Sequence, residues 1–253
     1  MTLRRTALAR LASALALTLT AASMSGAALA DVTVGVSISS TGPSASLGIP
    51  QKQSLGLLPQ QIAGETIRYV VLDDGSDPTQ ATKVARRFVS EDKVDIILGS
   101  SAVAPSIAIA EVADESKTVQ LAFSPIELKP GRGEWTYRLA QPIKLMAEAV
   151  AATAKANGVK TIGFIGFADA YGETWLKEFT TAAAANGIRI VATERYARSD
   201  TAVTAQTLKL ISARPDAMLI AGAGTGPRCP TRRCASAAIA GRSTTRTARP
   251  PRT

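Results

Sequence analysis

The sequence predicts an α/β protein of two lobes, each a parallel sheet flanked by helices. Three observations carry that expectation. Short β-rich runs alternate with longer amphipathic stretches, the alternation starts a second time midway along the chain, and polar loops close most of the short runs. Strands separated by helices of this length pair in parallel and are covered on both faces.

In the first series, Val32 to Ile38 reads as a strand ending in Ser39-Ser40-Thr41-Gly42-Pro43. Ile67 to Leu72 is a second strand, closed by Asp73-Asp74-Gly75. Asp77-Pro78 has the form of an N-cap with proline at the first helical position. Ala81, Val84, Ala85, Phe88 and Val89 then recur at helical spacing. Val94 to Leu98 is the third strand, Ala104 to Ser116 a helix, and Val119 to Phe123 the fourth strand. Gly131-Arg132-Gly133 and Pro142 punctuate the two series, which places the lobe boundary near Gln141. The expected lobes are therefore 31–140 and 141–225.

The second series opens with a helix from Ile143 to Ala156, stopped by Asn157-Gly158. Thr161 to Phe167 is a strand, and Glu173 to Ala185 a helix stopped by Asn186-Gly187. Ile188 to Thr193 is a strand, Ala202 to Ser212 a helix, and Ala217 to Ala221 a strand.

Both ends depart from this pattern. Arg4, Arg5 and Arg10 precede an apolar run from Leu11 to Leu19, and Ala28-Leu29-Ala30 follows. That arrangement reads as a signal peptide over 1–30, with a mature start at Asp31. The run is too short to cross ~30 Å of hydrocarbon, so the expected location is the periplasm. From Gly226 onward the chain is Arg, Pro, Thr, Ala and Cys without apolar periodicity, expected to be disordered. Segment 226–253 reads as the product of a shifted reading frame, the alternative being a genuine basic tail. Sequencing the locus distinguishes them.

Charge and rare residues exclude several functions. The formal net charge is +9, from 29 basic and 20 acidic residues, but the basic excess lies at the ends. The body from Asp31 to Thr225 carries 19 basic residues against 20 acidic ones, which gives no support to nucleic-acid binding. Both cysteines, Cys229 and Cys234, lie in the final segment, where they could pair in an oxidising compartment. The chain has no histidine, so His-dependent acid–base chemistry is excluded and the commonest metal ligand is missing. No cofactor is expected.

Ligands of open parallel sheets bind beyond the carboxyl ends of strands. The candidate residues are therefore Ser100 and Ser101 after the third strand, and Ala122 and Ser124 around the end of the fourth. Tyr171, in Asp169-Ala170-Tyr171-Gly172, follows the first strand of the second series, and Gly222-Ala223-Gly224-Thr225 follows the last. Hydroxyls and free N–H groups at a helix start suit a carboxylate or phosphate. Ser100 and Ser101 serve equally well as helix caps, and Tyr171 as a rim aromatic. Asp73, Asp74 and Asp77 are explained by turn and N-cap duty better than by metal binding or catalysis. Gly222-x-Gly224-x-Gly226 has the look of a dinucleotide loop, but no helix with a core-facing stripe follows it.

Several stretches carry a resemblance: Thr41-Gly42-Pro43 with Leu47-Gly48, Asp73-Asp74 with Asp77-Pro78, Lys93 through Ser100, Asp169-Ala170-Tyr171-Gly172, and Arg214-Pro215-Asp216-Ala217. In their order and spacing, from Asp31 to Thr225, the chain resembles the periplasmic solute-binding proteins of the branched-chain amino-acid (leucine/isoleucine/valine-binding) family of ABC importers. The resemblance implies a type I periplasmic binding protein fold whose second lobe is incomplete here. It implies that Ser100 holds a ligand α-carboxylate, that Ala122 and Ser124 complete the carboxylate and ammonium contacts, and that Tyr171 lines the second-lobe side of the cleft. The acidic residue that holds the ammonium in amino-acid binders is missing, because no acidic residue follows Asp216.

The implied partners are a small amino-acid-like or amide ligand and the membrane permease of an ABC importer, with the binding protein acting as a monomer. A sensory ligand-binding domain of a receptor or regulator is the alternative. Enzyme chemistry is not expected, since no nucleophile elbow or placed carboxylate pair occurs. Members of the resembled family continue well past Thr225, so low stability and weak or no binding are expected of the chain as it stands.

Overall fold

The computed structural model describes residues 32–224 and the backbone of residues 238–241. The expected signal peptide, both cysteines, Thr225 and the basic tail apart from 238–241 lie outside the described residues, and at 238–241 the tail expected to be disordered forms a strand. The chain divides into two units, 1–32 with 59–68 and 33–58 with 69–253.

Of the smaller unit, the described part is a hairpin. Strand β2 (Gln61–Ile62) pairs antiparallel with the start of β3 (Glu65–Asp73), Gln61 opposite Thr66 and Ile62 opposite Glu65. Ala63 and Gly64 between them both have positive φ, as a two-residue turn with the twist of the flanking strands requires.

The larger unit holds two lobes, each a largely parallel sheet flanked by helices. The first contains β1 (Val32–Ile38), α1 (Ala45–Ser54), α2 (Pro78–Ser90), β4 (Ile96–Leu98), α3 (Val103–Ser116), β5 (Val119–Ala122) and β6 (Thr136–Arg138). Its sheet runs β3-β1-β4-β5-β6, and the pairs β1/β4, β4/β5 and β5/β6 are parallel. The second contains α4 (Ile143–Ala156), β7 (Thr161–Phe167), α5 (Ala170–Ala185), β8 (Arg189–Tyr196), α6 (Thr204–Ser212) and β9 (Ala217–Ala221). Strand β7 lies between β8 and β9, parallel to both, and β10 (Ala238–Gly241) runs antiparallel along β9.

Local chemistry accounts for the element ends. Asp77 caps α2, accepting from the Gln80 N–H at 2.7 Å, with Pro78 at the first helical position. Asp169 caps α5 in the same way, through the Gly172 N–H at 3.0 Å. Helix α5 thus begins three residues before the expected Glu173, and β8 continues three residues beyond the expected Thr193. Helix α1 has no counterpart in the sequence reading. It contains Gly48 and Pro50 and buries only Gly48, so no apolar stripe announces it.

Two cores hold these elements. Phe88 of α2, Ile97 of β4 and Ile109 of α3 are fully buried in one. Trp175 and Phe179 of α5, Phe164 of β7 and Leu219 of β9 centre the other, which continues onto Val103, Ala122 and Ile126 of the first lobe. The apolar packing is therefore continuous from lobe to lobe.

Candidate functional site

The ends of β1 and β4 bring together a buried polar cluster. Asp74, just after β3, is fully buried. Its Oδ1 accepts from the Ser39 hydroxyl at 2.7 Å and the Ser76 N–H at 3.0 Å. Its Oδ2 accepts from the Ser37 hydroxyl at 2.8 Å and from the Ser100 hydroxyl. A buried carboxylate is tolerated when its lone pairs are satisfied in this way.

The serines expected at the ligand lie in and around this cluster. Besides Asp74, the Ser100 hydroxyl is 3.2 Å from that of Ser39, and the Ser100 N–H donates to Ser106 Oγ at 2.8 Å. Ser101 donates to Gln51 Oε1 at 2.6 Å and accepts from the Ser39 N–H. Ser124 Oγ lies 2.7 Å from Ser106 Oγ and 3.2 Å from the Ala102 carbonyl oxygen. Ala122 is fully buried at the end of β5. These residues form the layer behind the first turn of α3.

In front of that turn is a cavity of about 240 Å³ lined by both lobes. Ser44, Ser76 and the Ala102–Pro105 turn line it from the first lobe. Residues 168–171 and 197–199 line it from the second. Of the expected site residues, Tyr171 lines this cavity, whereas Ser100, Ser101, Ala122 and Ser124 stand behind its first-lobe wall.

Tyr171 is held by the way α5 leaves β7. At Gly172 a Cβ would sit 1.9 Å from the Phe167 carbonyl oxygen, so only glycine permits this approach, and Tyr171 is carried in beside the strand end. Its ring lies 6.3 Å from Phe167 and 6.5 Å from Trp175. Burial pushes its phenol above the ordinary value, opposed by the Trp175 indole and the Arg198 guanidinium.

Arg198 is the charged group that the sequence reading missed. It lies two residues beyond β8, with its side chain 11% exposed and its Nε 2.6 Å from Asp169 Oδ2. The guanidinium carbon is 3.9 Å from the centroid of the Phe167 ring and 5.7 Å from that of Tyr171. Strand ends were the right places to search. The sequence reading takes no candidate from the end of the strand at 188–193, which is where the 197–199 loop lies.

Chemically, the cavity offers a guanidinium, hydroxyls and a helix start, with one carboxylate already engaged. It contains no nucleophile–base pair among the described residues. This is equipment for holding a small polar solute.

Comparison with known proteins agrees. A family model described as periplasmic binding protein matches residues 31–230. An extracellular ligand-binding receptor from Rhodopseudomonas palustris HaA2 is 44% identical, with a TM-score of 0.74 over 77% of this chain and 55% of that one. The leucine binding protein LivK from Thermotoga maritima MSB8 is 25% identical, with a TM-score of 0.65 over 76% of this chain and 56% of that one. An amino acid binding protein from Pseudomonas aeruginosa PAO1 is 34% identical over 109 residues, which cover 41% of this chain and 29% of that one. The chain thus spans little more than half the length of these solved relatives and under a third of that curated one. Two parallel-sheet lobes, a cavity between them and a family match across most of the sequence lead to one conclusion: the chain belongs to the periplasmic binding protein family.

Proposed function

We propose that this protein is the exported solute-binding component of an ABC importer, which captures a small amino-acid-like or amide ligand between its lobes and presents it to a membrane permease. The observation that carries this reading is the cavity walled by α3 on one side and by the β7 and β8 loops on the other. A solute touching both walls stabilises the closed arrangement of the lobes, and closure is what a permease can recognise. The names of two relatives, an amino acid binding protein and a leucine binding protein, support the ligand class.

In this reading Tyr171 contacts the solute from the second lobe. Ser100, Ser101, Ala122 and Ser124 build the first-lobe side, with the hydroxyl network setting the position of the α3 start. The protein works as a monomer in the periplasm, without cofactor or nucleic acid, and catalyses no reaction.

Isothermal titration of the full chain with amino acids, amides and small carboxylates, carried to millimolar concentration, tests the proposal. The sequence alone leaves weak or no binding open for a chain with an incomplete second lobe. Because the cavity is lined from both lobes, weak but saturable binding of a member of this panel is expected, and no binding to any of them at millimolar concentration contradicts the proposal.

A further inference from the structure

The charge balance of the cavity narrows the ligand further. Among the described residues Asp169 is the only acidic side chain on its wall, and both its oxygens are engaged. Oδ1 accepts from the Gly172 N–H at 3.0 Å and Oδ2 from Arg198 Nε at 2.6 Å. A ligand ammonium entering here would have to displace Arg198 or stay without a counter-charge, and burying an unpaired charge is costly.

The donors are unbalanced in the opposite sense. Arg198 commits one edge of its guanidinium to Asp169 and one face to Phe167, and its terminal nitrogens have no protein acceptor among the described residues. A guanidinium carries five N–H groups in a planar fork that matches a carboxylate. On the facing wall, the N-cap of α3 is Ala102, which has no side-chain oxygen to cap the first turn. Among the described residues, both walls therefore offer donors and neither offers a free anionic acceptor.

We infer that Arg198 sets the ligand class of the cleft: a small carboxylate without an ammonium group, such as an α-keto acid, in preference to the amino acid of the same skeleton. The inference rests on the capture function proposed above. In it, Arg198 receives the ligand's carboxylate or keto oxygen while Asp169 holds the guanidinium in place.

Matched pairs test this by isothermal titration of the full chain: leucine with α-ketoisocaproate, phenylalanine with phenylpyruvate, and alanine with pyruvate. The keto acid of at least one pair is expected to bind at least about tenfold more tightly than its amino acid, the effect of one hydrogen bond to a charged group. Arg198→Gln is expected to abolish that preference, and Arg198→Lys to retain part of it, with thermal unfolding of each variant as the check on folding. If a variant does not fold, the ratio on the unaltered chain decides alone. Amino acids binding as tightly as their keto acids, binding confined to amides, or a preference unchanged in folded Arg198→Gln overturns the inference and leaves the capture function standing. Failure of every solute in the wider panel to bind removes both.

Discussion

The hydroxyl of Ser100 donates to the carboxylate of Asp74, and both residues are fully buried. Ser100 is the residue that family resemblance places on a ligand carboxylate, yet its hydroxyl is turned into the first lobe. Asp74 gathers Ser37 and Ser39 from β1 and its C-terminal end as well, so one carboxylate ties β1, β3 and the β4–α3 connection together.

Replacing Asp74 with alanine should therefore destabilise the first lobe strongly. Three buried hydroxyls and the Ser76 N–H would lose their acceptor, each at about 1–3 kcal/mol if nothing replaces it. Asp74→Asn keeps part of the network and should cost less. Urea unfolding of the two variants measures the order. Equal midpoints for Asp74→Ala and the unaltered chain would contradict the role given to this carboxylate.

Much of the fold was legible in the sequence, and the misses have identifiable causes. Strands β1, β7 and β9 and helix α4 fall where apolar spacing placed them, since the period of each is clear and Gly or Pro marks several of the ends. Helix α1 was hidden because Gly48 and Pro50 interrupt any pattern and its faces stay mostly outside the core. Asp74 was read as a turn residue because its partners lie 26 to 37 residues away along the chain, and nothing local to Asp73-Asp74-Gly75 reveals them. Arg198 was missed because the sequence reading takes no candidate from the end of β8, a strand that also runs three residues further than expected. Pairing with β7 as far as Phe167 opposite Tyr196 sets the end of that strand, and such pairing is not written in local composition.

Gly172→Ala should damage the second lobe. The added Cβ meets the Phe167 carbonyl oxygen at 1.9 Å, so either β7 or the start of α5 must move. A loss of about 1–3 kcal/mol or more is expected from such overpacking. Because Tyr171 precedes this glycine, solute binding should weaken along with stability. Thermal unfolding and titration on the same sample check both effects.

The Tyr171 phenol gives a pH dependence of defined sign. Burial is the main cause that raises its pKa above the ordinary 10.0. Above about pH 10 the unfolded chain releases this proton more readily than the folded one. The contribution to stability is thus complete below that value and lost as pH rises through the folded pKa. Tyr171→Phe removes the titrating group. The midpoint of the unaltered chain should therefore fall more steeply above pH 10 than that of the variant, and parallel midpoint curves would contradict the assignment.

The central claim is that two lobes close on a small solute, and thermal unfolding of the full chain with and without amino acids, their keto acids, amides and small carboxylates tests it most directly. A ligand bound only by the folded state raises the midpoint in a concentration-dependent way. The account predicts such a rise for at least one amino-acid-like carboxylate or amide. A broad transition that no member of the panel moves would contradict it.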